Sequence, residues 1–157
     1  MDKSDKQKKP YSERNDLEKI EANWNKIRGL YNKKEFSSAI VRAATAAEIA
    51  ANLIVREELV NKRNLEKDFV DNLLYRANGI HGKFKYIILP LSKYSDNADT
   101  LSALMSKIND INKERNSVAH SGQFKQKSTA KRIINLSKEV IETLVKPYEE
   151  GYKLKGI

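Results

Sequence analysis

Residues 36–55 (FSSAIVRAATAAEIAANLIV) constrain the fold more than any other stretch of this chain. Phe36, Ile40, Ala43, Ala47, Ala50 and Ile54 recur at helical spacing and make one apolar stripe. The helix is alanine-rich (AATAAEIAAN at 43–52), so a neighbouring helix can approach it very closely. The same period recurs elsewhere. Leu17, Ile20, Trp24, Ile27 and Tyr31 form a stripe before it, with Ser12, Asn15 and Asp16 as capping candidates. Residues 64–77 predict a third helix, with Phe69, Leu73, Val70 and Leu74 turned inward. Phe84, Ile87, Ile88 and Leu91 predict a short helix around Pro90. A polar loop at 92–98 then precedes a helix capped by Asp99 or Thr100, with Leu101, Leu104, Ile108 and Ile111 facing the core. Gly122 ends that helix or its continuation, and Ser128 starts the last one, with Ile133, Ile134, Val140, Ile141, Leu144, Val145 and Tyr148 inside. No segment alternates with a period of two. The expected fold is all-α, an antiparallel bundle of five or six helices joined by short connections.

An apolar fraction of 39% in 157 residues supports one core. Residues 1–10 (MDKSDKQKKP) carry four Lys and two Asp and are expected to be a flexible basic tail, leaving 11–157 as a single domain. The formal net charge of +9 fits a polyanion partner or a solubilising Lys-rich surface. The absence of cysteine excludes disulfides, thiol catalysis and Cys-ligated zinc. No apolar run is expected to span a membrane, and no apolar h-region follows the first lysines, so a cytoplasmic location is expected.

One stripe breaks its own rule. Continued from 101, 104, 108 and 111, it calls for apolar residues at 115 and 118, yet position 115 is Arg. A charge on an inward line snorkels to solvent, pairs, or borders a cleft or interface. Asn116 follows, and His120 stands four residues further, on the same helix face if the helix continues. Arg115 and His120 are about 140° apart on a regular helix. Their side chains meet only if the turn distorts or a second copy supplies the partner. From 115 to 138 there is no acidic residue and six basic ones, among them Lys125, Lys127, Lys131 and Arg132. With Ser121 as a donor, these four are the candidate phosphate-binding residues. Other residues weigh less. His81 reads as a loop residue between glycines, Glu48 as an exposed charge or a partner of Arg42, and Trp24 as core. Tyr75, Tyr86 and Tyr94 are candidates for base stacking.

The run NKERNSVAHSG at 112–122 resembles the signature of HEPN domains: an Arg, a polar residue next to it, and a His after four to six intervening residues. Here the gap is four and the polar residue is Asn116. The Ala-rich early helix, the late motif and the amphipathic last helix follow the family's order over roughly residues 12–150. The resemblance implies an all-α bundle and a metal-independent endoribonuclease of toxin–antitoxin or antiviral defence systems, needing no cofactor. It implies a homodimer with a composite site, Arg115 and His120 as the catalytic pair, and Asn116 as their polar support. RNA is then the substrate, and an antitoxin or another defence-system protein a partner. The alternatives are a non-catalytic HEPN module that binds RNA, nucleotide or protein, and a basic helical interaction protein.

Overall fold

The computed structural model describes residues 9–157, so most of the tail expected at 1–10 lies outside the described residues. The described residues are all-helical, with no strand among them. After a short 3-10 turn come α1 (Asp16–Asn32) and α2 (Phe36–Arg56), the latter continued by a π-helical segment (Glu57–Lys62). Then follow α3 (Lys67–Arg76) and a continuous run made of α4 (Gly79–Lys83), a second π segment (Phe84–Ile88) and α5 (Leu89–Ser92). The chain closes with α6 (Ala98–Ala103), α7 (Met105–Ser121) and α8 (Lys127–Val145).

Helix α2 is the hub. Ala39, Ala43, Ala46, Ala47, Ala50 and Ala51 are all 0% exposed. They spread over about 140° of the helix, so the stripe read from the sequence is the centre of a wider buried face. Small side chains permit this because α1, α7 and α8 can all close on the same helix. By length and hydropathy, Phe36–Lys62 is apolar enough to span a membrane, against the expectation from the sequence. Its apolar faces are buried in the bundle instead.

Consecutive long helices run antiparallel. Asp16 at the start of α1 bonds Arg56 at the end of α2, with both contacts at 2.7 Å. Lys107 and Glu139 pair across α7 and α8 at 2.9 Å. The non-consecutive α2 and α8 run parallel, because α7 has carried the chain back. Ser37 at the start of α2 meets Lys125 just before α8, while Glu58 after α2 meets Tyr148 after α8.

Local chemistry explains the ends. Asn15 caps α1 by accepting the Glu18 N–H at 2.8 Å. Gly122, at φ +58°, takes the left-handed conformation that ends α7. The last helix begins at Lys127, one residue before the expected Ser128. Its expected inner residues from Ile133 to Val145 are buried, and Tyr148 is half-buried. Neither Asp99 nor Thr100 caps α6, which starts at Ala98.

One expectation needs correction. In α3 the buried residues are Val70 and Leu74, whereas Phe69 is 58% exposed and Leu73 only half-buried. A ten-residue amphipathic helix offers two overlapping apolar faces, and docking on the α2 end selects the one with the smaller side chains. The C-terminal residues also take part in the core. Tyr152 and Leu154 are buried, and the Trp24 indole N–H donates to the Lys155 carbonyl at 2.8 Å.

Candidate functional site

The candidate residues are placed by α7. Ile108 and Ile111 are fully buried and fix its inner face. One turn on, that face is continued by Glu114, three residues after Ile111, and not by Arg115. Glu114 is 17% exposed at its side chain, while Arg115 is exposed. The inward line expected to include Arg115 therefore passes beside it.

Helix α7 stays regular through Ser121, and the backbone turns only at Gly122. Asn116 and His120 consequently lie one turn apart on one face. Arg115 Nη1 donates to Asn116 Oδ1 at 3.1 Å. Asn116 is half-buried and His120 exposed, and among the described residues His120 makes no hydrogen bond. The structure brings Arg115 and Asn116 into contact. It does not join Arg115 to His120 within one chain.

The five candidate phosphate-binding residues divide. Ser121, Lys127 and Lys131 are exposed, and Lys127 stands 6.0 Å from the centre of the Tyr31 ring. Tyr31, Gln126, Lys127, Ser128 and Lys131 line an open cleft of about 420 Å³ at the start of α8. No side chain caps that helix end, so its first N–H groups are unpaired by the protein's own side chains. Lys125 and Arg132 are engaged elsewhere. Lys125 Nζ lies 2.9 Å from Glu114 Oε2, and Arg132 reaches Glu114 at 3.4 Å and Asp110 at 3.5 Å. The stretch from 115 to 138 has no acidic residue in sequence, but antiparallel packing lays α7 carboxylates along it. Two of the four cations are neutralised in this way.

Compared with known proteins, the chain matches no family model, no curated protein and no solved structure. The site is thus described by its own chemistry.

Among the remaining sequence candidates, His81, Glu48 and Trp24 are held by contacts within the fold. His81 belongs to α4 and not to a loop, and its Nδ1 lies 2.9 Å from Asn109 Oδ1 on α7. Glu48 pairs with Lys83, a buried lysine on α4, and not with Arg42. Arg42 donates instead to Asn23 at 3.0 Å. Trp24 is core, at 5% exposure. Tyr75, Tyr86 and Tyr94 are exposed, on or beside α3, the second π segment and α5.

Sequence reasoning missed two residues. Glu114 could have been found from its i+3 spacing to Ile111. Phe124 is the single large apolar residue between α7 and α8, and it stands fully in solvent.

Proposed function

We propose that this chain is a metal-independent endoribonuclease of HEPN type, with a site assembled from the α7 ends of two copies. One observation carries the reading. Arg115, Asn116 and His120 occupy the last turns of α7, with the guanidinium and imidazole exposed and free of any ion pair among the described residues. A charged fork and an imidazole that can take up and give back a proton are what phosphodiester cleavage needs.

The regular course of α7 supports the two-copy arrangement. Side chains about 140° apart on an undistorted helix do not converge on one phosphate. A second α7 end, related by two-fold symmetry, supplies the missing partner. His120 of one copy takes the proton from a ribose 2′-hydroxyl, whose oxygen attacks the phosphorus. Arg115 holds the charge that builds on the phosphoryl oxygens, and Asn116 orients the guanidinium through the hydrogen bond already present. The other His120 returns a proton to the departing 5′-oxygen. The products are a 2′,3′-cyclic phosphate and a 5′-hydroxyl. The reading includes a cytoplasmic role in a toxin–antitoxin or antiviral defence system, with an antitoxin or related protein as partner.

The Arg115–Asn116 hydrogen bond also favours a second reading, in which the guanidinium is held in place and the site binds RNA without cutting it. Incubating the purified chain with RNA and a chelator separates the two. Cleavage is expected, ending in cyclic phosphate, and His120→Ala and Arg115→Ala are each expected to abolish it. Undiminished cleavage by His120→Ala, or no cleavage by the parent chain, overturns the ribonuclease.

A further inference from the structure

We propose that Phe124 is a stacking platform for one base of single-stranded RNA beside the α7 site, an inference that rests on the ribonuclease reading above. Phe124 is 98% exposed. A slack loop would let a phenyl ring fold back onto apolar surface, since leaving it in water forgoes its burial. This loop is not slack. The Lys125 N–H donates to Ser37 Oγ at 2.9 Å, and the Ser37 hydroxyl lies 3.3 Å from the Gln123 carbonyl to which it donates. One side chain of α2 thus clamps the residues on both sides of Phe124 and holds the ring out in solvent.

Its surroundings choose the partner. The loop neighbours Gln123, Lys125 and Gln126 are polar, so the ring stands as a lone aromatic and not as part of an apolar patch. The same end of the bundle carries Lys33 and Lys34 on the α1–α2 turn and Lys127 and Lys131 on α8. Glu114, the carboxylate nearest the loop in the α7 chain, is already neutralised by Lys125 and Arg132. An isolated ring at an end of the bundle that carries four lysines and one exposed carboxylate, Glu35, suits a ligand with flat apolar faces on a polyanionic backbone, which is single-stranded nucleic acid. Phe124 stands four positions after His120, a reach of at most about 14 Å. A base stacked there lies within a few nucleotides of the phosphate being cut. Every base has a π face, so the contact selects unpaired strands over duplexes and not one base over another.

The test uses the full chain carrying His120→Ala, so that bound RNA stays intact. Trp24 is buried, so in Phe124→Trp the new indole is the exposed emitter. Its fluorescence is expected to be quenched by a single-stranded oligouridylate and unaffected by an RNA duplex of equal length. Phe124→Ala is expected to weaken binding of the single strand by about 5- to 150-fold, leaving duplex binding unchanged. Equal single-strand affinity with Ala at 124 overturns the stacking role while leaving the ribonuclease untouched. Loss of the dimer in Phe124→Ala, read by light scattering, overturns it too, because the ring is then a subunit contact. Failure of the parent chain to cleave RNA strikes the ribonuclease reading alone, since the binding measurements still decide whether the ring stacks.

Discussion

Glu114 Oε2 on α7 lies 2.9 Å from Lys125 Nζ, with side-chain exposures of 17% and 15%. This ion pair closes the α7–α8 connection, and its carboxylate also receives Arg132. It restrains the same cations that would otherwise meet a phosphate backbone.

Glu114→Gln is therefore expected to have opposite effects on stability and binding. Stability should fall by about 1–3 kcal/mol in thermal or urea unfolding, because Lys125 is left largely covered without a counter-charge. RNA binding should strengthen, and its logarithmic salt slope should steepen by about one to two contacts. An unchanged slope would show that Lys125 and Arg132 lie outside the RNA path.

Arg115→Lys keeps the charge and loses the planar fork that meets two phosphate oxygens together. Cleavage is expected to fall by at least about tenfold, on the scale of one lost transition-state hydrogen bond. The melting temperature should stay within about 1 °C, since an exposed surface substitution changes stability little. Full activity in the Lys variant would reduce Arg115 to a point charge.

The Glu48–Lys83 pair ties α2 to α4 around a buried ammonium. Glu48→Ala strands that charge and is expected to cost about 2–3 kcal/mol, less than a fully buried pair because Glu48 is a third exposed. Replacing both, as Glu48→Gln with Lys83→Met, should recover most of the loss, since neither charge then needs a partner. Urea unfolding of the three proteins forms the check. A double variant as weak as Glu48→Ala contradicts the charge argument and points to packing.

Glu58 gives the fold an acid-sensitive joint. Partial burial alone would push its carboxyl up, but hydrogen bonds from Lys62, Tyr148 and Arg63 hold it down to about 2, from an ordinary 4.5. The unfolded chain binds the proton more readily, so stability rises with pH across this interval. The contribution is complete above about 4.5 and is lost as pH falls toward 2. Glu58→Gln is expected to lower stability at pH 7 by about 1–2 kcal/mol, given the solvent screening of Lys62 and Arg63. It should also flatten the acid limb between those values in denaturant titrations at stepped pH. An unaltered acid limb would place the sensitivity elsewhere.

The Phe36-to-Ile54 stripe, the α1 stripe and the inner face of α8 were legible as sequence because a helical period is a local property. The same holds for the end of α7 at Gly122, whose missing Cβ admits a left-handed residue. Arg115, Asn116 and His120 could be picked out as chemistry from their types and spacing. Tertiary structure decided where their side chains stand. Packing covered Glu114, 17% exposed at its side chain, and left Arg115 in solvent. Packing of α7 against α8 brought carboxylates to a strip that has none in sequence. A serine 88 positions from Lys125 fixed the loop that presents Phe124. Periodicity and end signals are set by neighbours within one turn. Ion pairs, helix phase against a partner and loop clamps depend on groups far apart in the chain, and only the folded packing makes them adjacent.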